Sequence, residues 1–235
     1  DEDTEVAATS ITTAATSVEI LRNHINARVT DLAVHGNADA LMVNAGQVLG
    51  NAVAAEFDAN ICARFADFAT VNGTATDGLK FLDIMDCLAN LEKNDAPRPY
   101  NAVLHPLQMY GSFGLSNEFG SGAVQGSNAA FNGLAGSGGV ADQFLGAGFV
   151  TSIAGINFFT SPQVTANSDT HIGGIYAKTA IGCGYIDFGG GNFIQLATER
   201  NELGASTNLV ANGYWASAEL VDLHGCELTT ETSTA

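Results

Sequence analysis

The sequence predicts an α+β fold in which a long helix precedes a set of C-terminal strands. Apolar residues recur every three or four positions over residues 38–69, which is typical of one face of a helix. Strand-like runs separated by Gly and Asn follow over residues 149–228. Between these two regions, residues 111–148 are rich in Gly, Ser, Asn and Ala. A segment of this length and composition is typical of a long loop that binds something or is ordered by a neighbour.

The first 35 residues predict an extended arm that leads into a mixed segment. Residues 1–17 are acidic and rich in Thr, with apolar and polar residues alternating around Val6, and we expect an exposed strand or extended arm there. Residues 18–35 mix both periodicities, which predicts a strand that turns into a short helix. Gly36 and Asn37 then break this segment.

Residues 38–69 form the clearest helical element of the sequence. An unbroken helix over this range would be about 48 Å long at 1.5 Å per residue, and Gly46 and Gly50 beside its apolar stripe predict a closely packed partner. The positions of the stripe are Leu41, Ala45, Val48, Leu49, Ala52, Val53, Phe57, Ile61, Phe65 and Phe68.

A second helix and a strand-to-helix step follow. Residues 74–77 offer N-cap side chains for a helix whose apolar face runs from Leu79 to Leu91. Residues 95–99 contain two prolines and are expected to end it. Residues 100–104 are predicted as a short buried strand. Pro106 is well placed as the first residue of another helix, which we expect to reach Phe113.

The C-terminal half is predicted to be rich in strands. We expect them over residues 149–159, 173–180, 183–188, 193–196 and 215–228, and we expect the polar tail, residues 229–235, to fray. We find no internal repeat in the chain.

Composition and charge exclude several classes of protein. The chain has 235 residues, of which 46% are hydrophobic and only 14% are charged, with a net charge of −17. We do not expect sequence-specific binding of DNA or RNA, because such binding needs basic groups that neutralise phosphates. The same charge repels anionic membranes, and the sequence contains no run of about 18 apolar residues that could span one. The scarcity of charge predicts a surface largely covered by neighbouring molecules.

Short motifs indicate no chemical centre, and we predict no catalytic, cofactor-binding or metal-binding residues. Gly182-Cys183-Gly184 lacks the third glycine and the following helix of a dinucleotide fingerprint. The histidines are too far apart for a helix-borne metal pair; they are His24, His35, His105, His171 and His224. The cysteines are expected to be buried or half-buried free thiols, although two disulfides remain open; they are Cys62, Cys87, Cys183 and Cys226.

His105 lies at the end of the predicted buried strand and is the strongest candidate for chemistry. With Ser112 and Asp86 nearby it could form part of a hydrolase site. A strand-to-helix turn capped by this residue is the preferred interpretation.

Two groups of charged residues are expected to be solvated or interface charges and not functional sites. Glu56 and Asp58 are expected on the polar side of the long helix beside Arg64, as a solvated or interface ion pair. The acidic residues within 1–5 lack the ligand order and the glycine of an EF-hand. A solvated arm is therefore expected at the start of the chain.

The order of these elements resembles the tailed-phage major capsid proteins of the Hong Kong 97 type. Residues 18–33 look like the returning strand of the family's extension loop, and residues 49–58 resemble its spine-helix phrase. Residues 102–108 are similar to its strand-to-helix step, and residues 153–164 to the strand after its axial loop. The run from residue 200 to residue 226 is similar to the closing strands of that fold.

The resemblance implies a division of the chain into four segments. Residues 1–22 would be the returning part of the extension loop, and residues 23–76 the peripheral sheet domain with the long spine helix. Residues 77–165 would form an axial α/β domain with a Gly-rich loop. Residues 166–235 would supply the C-terminal strands that complete the axial and peripheral domains. We expect residues 1–17 and 111–148 to differ most between copies in an assembly.

The resemblance also implies a function. The chain would be a structural subunit, not an enzyme, that assembles as hexamers and pentamers into an icosahedral shell around packaged double-stranded DNA. Its partners would be other copies of itself, a portal, possible cement or decoration proteins, and DNA through loose contact, with no membrane partner. It would reside in the virion after assembly in the host cytoplasm. Residues 1–21 contain no lysine, so we expect no isopeptide crosslink from this loop.

Three alternatives remain open at this stage. An encapsulin-type protein cage has the same subunit fold and would enclose a cargo enzyme instead of DNA. A secreted Gly/Thr-rich surface protein or adhesin would fit the low lysine content and the strands of the C-terminal half. An unrecognised hydrolase would use His105 within a pocket that also holds an orienting carboxylate.

Overall fold

The computed structural model describes residues 17–36, 40–111, 114–115, 152–167, 169–189 and 192–232. Predictions for residues 1–16 and for most of the Gly-rich segment 111–148 lie outside this range. The mixture of helices and sheets confirms the α+β class. In chain order the elements are β1 (Leu21–Thr30), α1 (Asp31–Gly36), α2 (Ala40–Cys62), a 3-10 helix (Ala63–Asp67), β2 (Val71–Asn72), α3 (Phe81–Lys93), β3 (Tyr100–Leu104), α4 (Pro106–Tyr110), β4 (Ser152–Ile153), β5 (Ile156–Thr160), β6 (Thr165–Asn167), β7 (Thr170–Ala177), β8 (Ile181–Tyr185), β9 (Ile194–Asn201), β10 (Ser206–Glu219), a second 3-10 helix (Asp222–His224) and β11 (Gly225–Glu231).

The first sheet is organised around β10. Along one edge β10 pairs antiparallel with β1, so that Leu21 lies opposite Trp215 and Thr30 opposite Ser206. Along its other edge β10 pairs antiparallel with β9 and then with β8. One strand of 14 residues therefore joins a segment near the start of the chain to two strands near its end.

The second sheet has the strand order β2-β11-β7-β3-β5-β4, and β6 also pairs with β7. The pairs β3–β5 and β2–β11 are parallel, whereas the other pairs are antiparallel. Alternate residues of β3 are buried, as expected for a strand packed on one face. The helix α3 packs against this sheet, and the largest side chains of the shared core include Ile84, Leu91, Tyr100, Leu104, Ile156, Phe158, Ile175 and Leu228.

The helix α2 and the 3-10 helix that continues it contact both sheets. Leu49 and Val53 pack with Ala211 and Trp215 of the first sheet. At the other end, Cys62 and Phe65 belong to a buried cluster with Val164 and Ala180 beside the second sheet. Two hydrogen bonds reinforce these contacts: the Ser217 hydroxyl donates to the Asn60 carbonyl at 2.8 Å, and the Ser161 hydroxyl donates to the Asp58 carboxylate. In the described part of the chain, no helix is both long enough and apolar enough to cross a membrane.

The prediction of a long helix is confirmed, but its length and its buried face were overestimated. The α-helix ends at Cys62 and continues as the 3-10 helix only to Asp67. Val48, placed in the buried stripe, is 68% exposed, because only a narrow face of α2 meets the sheets. A Cβ atom at Gly46 or Gly50 would meet no atom within 4 Å, so the predicted close partner is absent from this part of the described subunit.

The start of the second helix was also predicted wrongly. The helix α3 begins at Phe81, and its N-cap is Lys80, not a residue of 74–77. The backbone amide of Lys80 donates to the Asp83 carboxylate at 3.0 Å, which fixes this helix start. The predicted stop is confirmed, because α3 ends at Lys93. Pro106 is confirmed as the first residue of α4, which ends at Tyr110; Phe113 lies outside the described residues.

Several strand boundaries differ from the prediction. The run 215–228 contains the end of β10, a 3-10 turn and the start of β11, and the run 149–159 contains β4, a turn at Ala154 and Gly155, and β5. The strand β9 extends to Asn201, well beyond residue 196, because its polar, exposed residues give no apolar alternation. The predicted fraying is wrong for residues 229–232, since β11 reaches Glu231 and both Thr230 and Thr232 are buried.

Candidate assembly surface

Exposed apolar side chains gather at one end of the first sheet. This group, called here the β8-end patch, consists of Val18, Ile20, Leu21, Tyr185, Ile186 and Phe188, each between 37% and 59% exposed. Leu21 and Tyr185 lie on either side of Trp215, which pairs with both. Beyond β8, the Ile186 amide donates to the Tyr214 carbonyl at 3.0 Å, and the Phe188 ring contacts the Tyr214 ring at 5.6 Å. The backbone therefore holds these side chains in place although solvent reaches them.

The opposite end of the same sheet also presents apolar groups. Leu32 on α1 is 84% exposed, and Leu203 in the β9–β10 turn is fully exposed. The two segments are joined, because the Asp31 amide donates to the Ala205 carbonyl at 2.9 Å and the Arg200 guanidinium binds both Asp31 carboxylate oxygens, at 2.5 and 2.6 Å. Bidentate geometry adds strength and directional specificity to this ion pair.

Electrostatics at this second end follow from that ion pair. Hydrogen bonding to Arg200 lowers the pKa of Asp31, and hydrogen bonding to Asp31 raises the pKa of Arg200. Both groups are therefore charged at any pH near neutrality. Their partial exposure means that salt weakens the attraction.

Within the described residues, at least four basic side chains are paired with carboxylates of the subunit. Arg64, Lys80, Arg98 and Arg200 each form an ion pair with a carboxylate of the same chain. The chain has only 8 basic residues against 25 acidic ones. These ion pairs engage part of a small set of cationic groups that could otherwise contact phosphate.

A small cavity lies between α2 and β1, near the β8-end patch. Its volume is about 150 Å³, and its lining consists of Asn23, His24, Ile25, Val53, Glu56 and Trp215. The indole Nε1 of Trp215 is buried and has no hydrogen-bond partner in the described residues. A buried donor without an acceptor costs about 1–3 kcal/mol.

Glu56 and Asp58 do not form the ion pair that the sequence suggested with Arg64. Glu56 lines the cavity, and Asp58 accepts the hydrogen bond from Ser161. Arg64 instead pairs with Asp67 at 2.8 Å. Asp58 thus faces the second sheet, because α2 crosses from one sheet to the other.

His105 is confirmed as the cap of a strand-to-helix turn. Its Nδ1 accepts a hydrogen bond from the Leu107 amide at 3.2 Å, and its ring stacks on His171. Burial lowers the pKa of His105, and the nearby charge of His171 lowers it further. These contacts include no orienting carboxylate of the kind that the hydrolase alternative needs; Ser112 lies outside the described residues.

The other sequence motifs also have structural places. Gly182-Cys183-Gly184 lies within β8, paired with β10, and β9 follows it. Cys62, Cys87 and Cys226 are buried free thiols, whereas Cys183 is exposed, contrary to expectation, because its strand lies at the edge of the first sheet. No group of three or more His, Cys, Asp or Glu side chains within the described ranges could hold a metal ion. The acidic cluster at residues 1–5 lies outside these ranges.

Gln108 is a central residue that sequence reasoning did not identify. It is fully buried, and its amide nitrogen donates to the His171 carbonyl, the Thr230 hydroxyl and the Leu228 carbonyl at 2.9, 2.8 and 3.2 Å. Its amide oxygen accepts from the His105 amide at 3.0 Å. The spacing His-Pro-x-Gln matches that of a helix capping box and could have indicated the last contact.

Comparison with solved structures identifies the fold. A structure from Mycobacterium phage Che8 matches with a TM-score of 0.68 at 17% identity, covering 95% of this chain and 81% of that one. The capsid structure of the cyanophage P-SCSP1u matches with a TM-score of 0.61 at 16% identity, covering 97% and 81%. The encapsulin complex of Synechococcus elongatus matches with a TM-score of 0.64 at 10% identity, covering 92% and 75%.

These matches confirm the expected fold, which tailed-phage capsid structures and encapsulins share. No family model matches the sequence, and no curated protein matches it. The fold is therefore recognised through structure, at sequence identities below a fifth.

Proposed function

We propose that this chain is a structural subunit of an icosahedral virus capsid. It assembles with many copies of itself, as hexamers and pentamers, into a shell that encloses packaged double-stranded DNA. The observation that carries the proposal is the match in fold to phage structures over 95% and 97% of the chain. In this role the subunit performs no catalytic turnover and needs no cofactor.

The surface of the subunit supports this proposal. Apolar side chains are exposed at both ends of the first sheet, in the β8-end patch and at Leu32 and Leu203. Exposed apolar groups gathered into patches are typical of interaction sites. Contacts between copies would bury these groups and account for a chain in which only 14% of residues are charged.

The proposed partners follow from the same role. A portal and possible cement or decoration proteins would contact the shell, and DNA would touch it only loosely. The net charge of −17 supports weak contact with DNA, because affinity for phosphate depends on Lys and Arg. The subunit would be located in the virion after assembly in the host cytoplasm. The division into four segments, 1–22, 23–76, 77–165 and 166–235, belongs to this proposal.

The test is the size of the particles that the purified chain forms, with Tyr185→Arg as the disrupting variant. Tyr185 is 53% exposed in the β8-end patch, and an arginine there would place a charge in an apolar contact between copies. We expect closed particles from the wild-type chain in sedimentation and negative-stain images, and small species from the variant. Tyr185→Phe is the matched control, since it keeps the ring.

A folded Tyr185→Arg chain, shown by an unchanged far-ultraviolet circular dichroism spectrum, that still closes into particles would argue against this surface as an assembly contact. A wild-type chain that remains a monomer under all assembly conditions would argue against the shell itself.

An encapsulin-type cage is the second candidate, and the match to the Synechococcus elongatus encapsulin favours it. The contents of native particles separate the two candidates. DNA-filled particles with a tail support the capsid, whereas tailless particles filled with protein support the cage.

A further inference from the structure

Two histidines stack where the end of β3 meets the start of β7. The ring centroids of His105 and His171 lie 3.8 Å apart, and the ring planes are inclined by 23°. His105 is half-buried and precedes α4, while His171 is only 8% exposed and is the second residue of β7. This pair belongs to the second sheet, so the proposed assembly surface on the first sheet does not use it.

Hydrogen bonds define which ring nitrogen of His105 carries a hydrogen in the neutral state. Its Nδ1 accepts from the Leu107 amide and therefore carries none. A second proton on this ring would go to Nδ1. Both Nδ1 and the Leu107 amide would then be hydrogen-bond donors, so the hydrogen bond between them would be lost. Protonation of His105 therefore removes the side-chain cap of α4.

His171 is connected to the end of the described chain. Its Nδ1 bonds to the Thr232 hydroxyl, and that hydroxyl and the Thr232 amide donate to the Asp169 carbonyl at 3.0 and 2.7 Å. Because the hydroxyl hydrogen is used on Asp169, Nδ1 of His171 donates to the hydroxyl oxygen. The neighbouring Gln108 binds the carbonyl of His171 and the hydroxyl of Thr230. The stack thus lies at a junction of α4, β7 and β11.

Among the described residues, no carboxylate takes part in these hydrogen bonds or in the ring contact of the two histidines. The charged residues on the packed elements are Glu227 and Glu231 of β11, and Asp169 in the turn before β7. Glu227 binds the Thr229 hydroxyl. None of the three shifts the pKa of either ring. Burial lowers the pKa of both rings, and the charge of His171 lowers the pKa of His105 further.

We propose that the His105–His171 stack is a pH-sensitive joint that fastens α4 and the end of β11 to β7 when both rings are neutral. Protonation places like charges on two rings 3.8 Å apart and removes the cap of α4. The stack then opens and releases α4 together with residues 230–232. This inference concerns the subunit itself and does not depend on shell assembly.

The direction of the pH effect follows from linkage. The unfolded chain binds protons on these histidines near their ordinary pKa of 6.5, whereas the folded chain binds them only at lower pH. The stabilisation by the neutral pair is therefore complete above pH 6.5 and decreases as the pH falls from 6.5 through the folded-state pKa values. Below the folded-state pKa values of both histidines, we expect no further change in the stability that this pair contributes.

Hydrogen–deuterium exchange of the full-length chain at pH 7.5 and pH 5.0, corrected for the intrinsic exchange rates, tests the joint. We expect protection of the amides of Leu107, Glu231 and Thr232 to fall at pH 5.0, by up to about tenfold for each pH unit between 6.5 and either the folded-state pKa or pH 5.0, whichever is higher. The strand β10, at residues 206–215, should keep its protection and is the internal reference.

His105→Asn is the decisive variant. Asparagine is a good N-cap, so it keeps an acceptor for the Leu107 amide, but it cannot be protonated in this range. We expect the variant to retain protection of Leu107 at pH 5.0. His24→Asn, on the exposed face of β1, is the matched control and should respond to pH like the wild-type chain.

Equal protection at both pH values in the wild-type chain would overturn the proposal. So would a full pH response in His105→Asn, or the loss of the response in His24→Asn. A nuclear magnetic resonance titration of the wild-type rings provides an independent measurement that needs no variant, and a pKa at or above 6.5 for both histidines would also overturn it.

Discussion

At the scale of single residues, Trp215 is the centre of the contact between α2 and the first sheet. It is 2% exposed, and its indole makes edge contacts with the rings of Phe57 and Phe193, at centroid distances of 5.6 and 6.2 Å. The indole lies over Gly213 of its own strand, where an added Cβ atom would be 1.9 Å from a ring carbon. The absence of a side chain at Gly213 is therefore what gives the tryptophan its position.

Gly213→Ala is expected to displace Trp215 and to destabilise the subunit. Overpacking of this kind costs about 1–3 kcal/mol, which lowers the Tm in scanning calorimetry by several degrees. Gly184→Ala, in the adjacent strand β8, is the matched control, because its Cβ would make only an ordinary contact with Ile20 at 3.8 Å. Equal Tm values for the two variants would contradict this account.

The four thiols are expected to differ in their reaction with iodoacetamide at pH 8. Cys183 is exposed, whereas burial hides Cys62, Cys87 and Cys226 and raises the pKa of Cys62 to about 12. Mass spectrometry of the native chain should find Cys183 modified first. Burial also raises the pKa of Cys183, so its reaction should be slower than that of a free thiol. All four should react in denaturant, and early labelling of Cys62 would contradict its burial.

The residue types in the sequence predicted the structural role of His105 but not its contact with His171. The pattern His-Pro indicated a capped helix start, and His105 does cap α4, because the chemistry of a cap is local. The partner His171 lies 66 residues away from His105 in the sequence. Only the pairing of β3 with β7 brings the two histidines together. Contacts of that kind depend on sheet register, which no local pattern specifies.

At the scale of elements, α2 shows how periodicity overstates burial. Leu49 is 3% exposed and packs against Ala211 and Trp215, whereas the adjacent Val48 is 68% exposed although it continues the same apolar stripe. The apolar stripe of α2 is wider than the face of α2 that contacts the sheets. Some of its apolar side chains are therefore available to contact a neighbouring molecule. The sequence predicted the existence of the helix but overestimated its length, and it could not distinguish an intramolecular contact from an intermolecular one.

Leu49→Ala is expected to lower the free energy of unfolding of the subunit by about 2–5 kcal/mol, since it creates a cavity in a buried contact. Val48→Ala should change it by less than about 0.5 kcal/mol. Denaturant unfolding of the dissociated subunit measures both. If the two variants lose equal stability, Val48 must be buried within the subunit, contrary to the structure.

At the scale of the whole molecule, the net charge of −17 opposes the association of copies. The proposed shell must overcome this repulsion through apolar contacts, and salt screens the repulsion. The fold was predictable from the order of its elements along the chain. The proposed assembly surface was not, because the β8-end patch combines side chains from β1 and the residues before it with side chains from β8 and the segment after it.

Assembly is therefore expected to increase between 10 mM and 150 mM sodium chloride, as the Debye length falls from about 30 Å to about 8 Å. Sedimentation at fixed protein concentration measures the fraction of chains in particles. Sucrose in place of salt is the control for effects that do not depend on charge. More particles at 10 mM salt would mean that attraction between unlike charges, and not apolar contact, drives assembly.

The pairing of β1 with β10 has a consequence for folding of the chain during its synthesis on the ribosome. Residues 21–30 acquire their partner strand only when residues 206–215 have been translated. At about 5–20 residues per second this delay is roughly 10–40 s, and during it the edge and the alternating apolar side chains of β1 remain without that partner. Completion of the first sheet must therefore follow synthesis of β10, and until then the unpaired β1 of a nascent chain is a site at which another strand could pair. A chaperone that shields an unpaired strand would act at this step.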